Sequence, residues 1–84
     1  MIREHLLQEL LAEYAHAAWS GWMQYMFSKS MLHADGSVTI PASLVQRWTR
    51  QMNTLYKDLP EVEQRSDLEE AEKMIRIFMK LLGE

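Results

Sequence analysis

The stretch that decides the fold is REHLLQELLAEYAHAAWSGWMQYMFSKSM, residues 3–31, whose spacing predicts one long helix. We expect this helix to run to about Met31 and to fray near Ser28-Lys29-Ser30. Its apolar residues recur three or four positions apart, which is the repeat of one helix face. They are Leu7, Leu11, Ala15, Ala18, Trp22 and Met26, with a second stripe at Leu6, Leu10, Tyr14, Ala17 and Phe27. An apolar arc this wide predicts a helix packed on several sides. Gly21 lies inside it and predicts either a bend or the close approach of another backbone.

A turn, a short extended strip and a middle helix are predicted next. Asp35-Gly36 favours a tight turn with positive φ at the glycine. Val38-Thr39-Ile40 is β-branched, and Ile40 precedes Pro41, which disfavours helix at Ile40. Pro41 suits the first turn of a helix that we expect to run to about Met52. Its apolar face consists of Leu44, Val45, Trp48 and Met52.

The C-terminal part predicts a long last helix. From Pro60 we expect the chain to turn helical again. Ser66-Asp67-Leu68-Glu69 has the form of a capping box, which indicates that a helix restarts at Ser66. One face then carries Leu68, Ala71, Ile75, Phe78 and Leu82. Gly83 is expected to end the helix. The predicted fold is all-α and forms one domain over residues 1–84: a long N-terminal helix, an Asp-Gly turn with a short extended strip, a middle helix and a long C-terminal helix.

The composition of the chain excludes several classes of protein. The chain has 84 residues, of which 48% are hydrophobic and 25% charged, and it contains no cysteine. These values are ordinary for a globular domain, and the missing cysteines exclude disulfides and thiolate metal sites. No apolar run approaches the roughly 20 residues of a membrane span, and no basic region precedes an apolar stretch at the N-terminus. We therefore expect a soluble cytoplasmic domain, without a membrane partner.

The charges are distributed unevenly along the chain. The net charge is −3, and residues 57–84 carry five basic and eight acidic groups. This balance makes a nucleic-acid partner improbable. The acidic groups suit the N-terminal end of a helix, where they favour the helix dipole, and they would also suit a basic partner.

The residue patterns of catalytic sites are missing. The three glycines are far apart, so no glycine-rich phosphate loop is present, and no serine lies in a nucleophile elbow. The three histidines form no pair four residues apart, although His5, Glu9 and Glu13 share a helix face. We expect no enzyme activity, no cofactor and no metal.

One basic cluster is interleaved with aromatic residues. It consists of Arg47, Arg50 and Lys57, with Trp48 and Tyr56 among them. Such groups can hold a phosphorylated ligand whose base stacks on a ring. They would equally fit surface charges of a helix around buried rings.

Two blocks of sequence resemble the RyR domain, the helical repeat named for ryanodine receptors. The first is Glu13-Tyr14-Ala15-His16-Ala17-Ala18-Trp19, and the second is Tyr56-Lys57-Asp58-Leu59-Pro60-Glu61-Val62-Glu63 with Asp67, Ala71 and Gly83 after it. The chain also resembles small phage and prophage proteins. That likeness rests on Trp19 to Trp22, Asp35-Gly36, Ile40-Pro41 and Arg47-Trp48-Thr49-Arg50-Gln51. The middle loop of the RyR domain has no counterpart in Asp35 to Ile40.

The resemblance implies a binding role, because a nucleotide can lie against the aromatic residues of RyR domains. By that resemblance His16, Trp19 and Tyr56 are candidate ligand-binding residues. Charge and aromatic placement add Trp22, Arg47, Trp48 and Arg50. The alternative for His16 and Trp19 is a core pair, with His16 hydrogen-bonded to a backbone carbonyl or to a carboxylate such as that of Asp67.

Two functions follow as hypotheses. The first is a non-catalytic binding module for a nucleotide-like small molecule, encoded by a phage and able to sequester a signalling nucleotide of its host. The second is a protein-interaction module that acts as a homodimer or on a host protein. Four methionines could supply its adaptable contact surface: Met23, Met26, Met31 and Met52.

Overall fold

The computed structural model describes residues 2–83 and consists mainly of helix. It contains α1 (Ile2–Ser28), β1 (Met31–Leu32), β2 (Val38–Thr39), α2 (Ala42–Met52), a 3₁₀ helix (Tyr56–Asp58) and α3 (Glu61–Leu82). The predicted all-α class, with a long helix at each end and a shorter one between them, is confirmed. The two short strands pair antiparallel, Met31 with Thr39 and Leu32 with Val38.

The chain divides into two compact units, and α1 contributes to both. The terminal unit comprises Met1–Trp19 and Pro60–Glu84, so it holds the first part of α1 and all of α3. The central unit comprises Ser20–Leu59, which holds the rest of α1, the strands and α2.

Two hydrogen bonds define the pairing of helices in the terminal unit. The guanidinium of Arg3 donates to the carbonyl of Leu81, and the hydroxyl of Tyr14 donates to Glu70. Because residue numbers rise along α1 from 3 to 14 while their partners fall from 81 to 70, the two segments run antiparallel. Leu81 is 7% exposed and is the one buried hydrophobic residue in the part of the chain that the structure describes. Half-buried side chains lie on both helices: Leu7, Leu10, Leu11, Tyr14 and Ala18 on α1, and Glu63, Gln64, Glu70, Ala71 and Ile77 on α3.

The central unit is built around the predicted Asp-Gly turn. Gly36 has φ of 90°, a conformation that suits a residue without a side chain. The turn closes through bonds from the Gly36 amide to the His33 carbonyl (3.0 Å) and from the His33 amide to the Ser37 carbonyl (2.8 Å). The carboxylate of Asp35 accepts bonds from the amide (2.9 Å) and hydroxyl (2.6 Å) of Ser37. The Ser37 hydroxyl is the main reason that the pKa of Asp35 lies below its usual value.

The ends of the long helices agree with the prediction except at one residue. The first helix ends at Ser28, within the stretch predicted to fray, because the Ser30 amide bonds to Phe27 (3.1 Å) and the chain turns into β1. The last helix begins at Glu61, directly after Pro60, whose carbonyl accepts the amides of residues 63 and 64 (2.9 and 3.0 Å). The predicted restart at Ser66 is wrong, because Ser66 lies inside this helix and does not cap it.

Gly21 is not a site of close backbone approach. A Cβ placed on it would meet no heavy atom within 4 Å, apart from the helix's own backbone and its chain neighbours. The helix α1 runs through it from Ile2 to Ser28.

Candidate functional site

An aromatic cluster joins α1 to α2 inside the central unit. The rings of Trp22 and Tyr25 are stacked, with centroids 5.4 Å apart and planes at 22°. Trp48 meets Trp22 edge-on at 5.4 Å and lies 6.4 Å from Tyr25. Separations of this size are favourable for aromatic pairs. The cluster is only partly covered, because Trp22 is 46% exposed and Tyr25 is 37% exposed.

Two cations adjoin the aromatic cluster. The guanidinium of Arg47 donates to the Tyr25 hydroxyl at 3.1 Å. The ammonium of Lys29 lies 5.6 Å from the centroid of the Tyr25 ring, which is within range of a cation–π contact. Exposed ring surface beside two positive groups is the arrangement that a flat, anionic ligand would need.

The structure brings three of the seven predicted ligand-binding residues together. Trp22, Arg47 and Trp48 meet in the aromatic cluster, each in contact with another of its members or with Tyr25. His16 and Trp19 stack on each other on α1, with centroids 5.9 Å apart, and belong to the terminal unit. Arg50 lies on α2 one turn after Arg47, and Tyr56 opens the 3₁₀ helix.

Tyr25 is the member of the cluster that the sequence analysis did not single out. It contacts both tryptophans, accepts the hydrogen bond of Arg47 and lies beneath Lys29. Its position three residues after Trp22 was the available signal, because side chains three apart on a helix are neighbours.

A second candidate surface lies on α3, in the terminal unit. The predicted apolar face of this helix is open to solvent: Leu68, Ile75, Phe78 and Leu82 expose between 43% and 79% of their surface. With the half-buried Ala71 they recur at intervals of three and four residues. We call these five residues the α3 stripe. The side of α3 that meets α1 is a different one, carrying Glu70, Ile77 and Leu81.

The predicted methionine surface is only partly open. Met31 and Met52 are exposed, whereas Met23 and Met26 are half-buried on α1. All four lie in the central unit and none adjoins the α3 stripe along the chain.

The contact of Tyr14 with Glu70 shifts the pKa of both groups. The side-chain hydrogen bond to Glu70 is the main cause that raises the pKa of Tyr14 to about 12, and burial and the negative charge of Glu70 act in the same direction. The same bond, followed by one from Lys73 (3.2 Å), lowers the pKa of Glu70 below its usual value. The bond therefore favours a neutral tyrosine and an ionised glutamate.

His5 and Glu9 lie 3.3 Å apart on α1, but no group of three metal-ligating side chains is brought together within residues 2–83. Nor does any helix there have the length and apolar character required to cross a membrane. Comparison with protein-family models, with curated proteins and with solved structures found no match.

The Tyr14–Glu70 bond predicts a defined pH dependence of stability. Because the pKa of Tyr14 is raised, its contribution is complete below pH 10.0 and is lost as pH rises towards about 12. Because the pKa of Glu70 is lowered, its contribution is complete above pH 4.5 and is lost as pH falls further. The loss of unfolding free energy in Tyr14→Phe should thus be greatest between these limits, measured by urea unfolding across pH.

A spectroscopic control identifies the group responsible. In Glu70→Gln the ultraviolet titration of Tyr14 should move from about 12 back towards 10.0, and Tyr14→Phe should remove that transition. An unchanged titration in Glu70→Gln would contradict the assignment.

Proposed function

We propose that this chain is a non-catalytic protein-interaction module whose contact surface is the α3 stripe. The observation that carries the proposal is the exposure of Leu68, Ile75, Phe78 and Leu82 on one side of a helix. Contiguous apolar patches of this kind are uncommon on monomers and mark sites of contact. The location that we propose for this activity is the cytoplasm.

The spacing of the stripe indicates what kind of surface it contacts. Anchors three and four residues apart are the pattern by which an amphipathic helix binds a groove or a second helix. Over Leu68 to Leu82 this seam is about 21 Å long, at 1.5 Å per residue. A partner helix with its own apolar seam would remove these side chains from water, at roughly 25 cal/mol per Å² buried.

Site-specific photo-cross-linking tests the proposal. Phe78 is replaced by the photoreactive residue benzoylphenylalanine, and Met52, an exposed residue on α2, serves as the matched control. We expect irradiation in cells to give a discrete adduct from position 78 and none from position 52. Adding Ile75→Glu should abolish the adduct without reducing helicity, because Ile75 is itself exposed.

The mass of the adduct, determined by mass spectrometry, identifies what occupies the stripe. Absence of any adduct, or equal labelling from both positions, would contradict the proposal.

A second candidate function is the binding of a nucleotide-like ligand at the aromatic cluster. It is favoured by the exposed ring surface of Trp22 and Tyr25 next to Arg47 and Lys29. Stacking of a base on such rings is worth about 1–3 kcal/mol, and a guanidinium suits a phosphate. The resemblance to the RyR domain and to phage proteins agrees with this candidate.

A thermal-shift screen of nucleotides and cyclic dinucleotides tests the second candidate. A ligand at 100 times its dissociation constant should add about 2.7 kcal/mol to the stability. The gain should disappear in Trp22→Ala and Arg47→Ala. It should persist in Phe27→Ala, since Phe27 is exposed and lies two residues from Tyr25, where side chains of a helix do not face each other. No shift with any compound, or an equal loss in all three variants, would count against this site.

A further inference from the structure

We propose that the partner of the α3 stripe is the α3 stripe of a second copy of this chain, with the two helices antiparallel. The inference rests on the proposed function and names the partner that would cover the surface. Three independent properties of α3 support it: the distribution of its charges, the order of large and small residues along the stripe, and the amount of surface left exposed.

The charges of α3 are separated along its length. From residue 61 to residue 72 the helix carries six acidic residues and one basic residue, whereas residues 73–82 carry three basic and no acidic residues. In an antiparallel pair centred on Ile75, residues 67–72 of each helix, four of them acidic, lie beside residues 78–83 of the other, whose one charged residue is Lys80. A parallel pair would place the two acidic halves together, which is unfavourable. Antiparallel packing also pairs opposite ends of the helix dipoles.

The side-chain sizes along the stripe favour the same orientation. Ala71 and Phe78 lie at similar distances on either side of Ile75, and Leu68 and Leu82 lie seven residues from it. With Ile75 near the centre of an antiparallel pair, Phe78 lies near the level of the partner's Ala71. Large side chains then face small ones, as a well-packed seam requires. In a parallel pair the two phenylalanines crowd one level, and the two alanines leave a gap at another.

The apolar residues of the stripe are open to a partner. Leu68, Ile75, Phe78 and Leu82 expose 55%, 58%, 43% and 79% of their surface. An antiparallel partner helix would cover them all along one seam.

Single-cysteine cross-linking tests the pairing and its direction. The chain has no cysteine of its own, so each variant carries one thiol. Leu68→Cys, Ile75→Cys and Leu82→Cys are treated with a short bis-maleimide, with Met52→Cys on α2 as the control. All four positions are exposed, so the substitutions should leave the helices intact, which circular dichroism checks.

We expect Ile75→Cys to yield a product of twice the 9.9 kDa chain mass. Leu68→Cys and Leu82→Cys should remain at the level of Met52→Cys, because each lies about 20 Å along the axis from its equivalent in the partner. Sedimentation of the unmodified chain should independently show a dimer at micromolar concentration.

Two outcomes would contradict different parts of this proposal. Equal products at positions 68, 75 and 82 would overturn the antiparallel orientation. A monomer in sedimentation, with no product at position 75, would overturn the second copy as partner. The photo-cross-linking from Phe78 then decides the proposed function separately, since an adduct with a different protein would leave the interaction surface in place.

Discussion

The pairing of α1 with α3 in the terminal unit is the contact on which the rest of the structure depends. A helix that is apolar over a wide arc is stable only when that arc is covered, and most of the stability of protein helices comes from such packing. Here α1 covers one side of α3, where Ile77 and Leu81 lie. The adjacent side, the α3 stripe, receives no comparable cover within residues 2–83. The association that we propose follows from that imbalance.

The central unit meets the same constraint in a different way. Its contact between α1 and α2 consists of the rings of Trp22, Tyr25 and Trp48, which bury one another in part. Large rings supply much contact area from few residues, which suits a unit of forty residues. The bond from Arg47 to Tyr25 fixes the position of one ring and leaves a positive group at the edge of the cluster. Thus the residues that hold this unit together are also those that a flat, anionic ligand could contact.

The helices could be predicted because the apolar residues in the sequence are regularly spaced. That spacing does not indicate which helix faces contact each other. The face with Leu68, Ile75 and Phe78 has the clearest periodicity, yet it is exposed, while the side facing α1 includes Glu70 and was not singled out. Periodicity identifies an apolar face without identifying its partner. The sequence did not indicate Glu70 as a contact residue, because a glutamate lies on an inner helix face only when its carboxylate accepts a hydrogen bond from a group such as the Tyr14 hydroxyl.

The start of α3 illustrates a competition between two local signals. The sequence at Ser66 matches a capping box, but α3 already begins at Glu61. It begins there because the carbonyl of Pro60 accepts hydrogen bonds from the amides of residues 63 and 64. Among the candidate binding residues, the placement of aromatic and basic residues in the sequence predicted Trp22, Arg47 and Trp48, and all three belong to the aromatic cluster. Tyr25 was indicated in the sequence only by its spacing of three residues from Trp22, and its contact with Trp48 depends on how α1 and α2 cross. The likeness to the RyR domain stays a prediction.

The measurement that tests the central claim most directly is the dependence of thermal unfolding on protein concentration, followed by circular dichroism over a hundredfold range. If association covers the α3 stripe, the unfolding midpoint should rise with concentration, since each tenfold step is worth about 1.4 kcal/mol of association free energy. Ile75→Glu should abolish that rise. A midpoint that stays constant across the range, with the chain folded and monomeric throughout, would contradict the account.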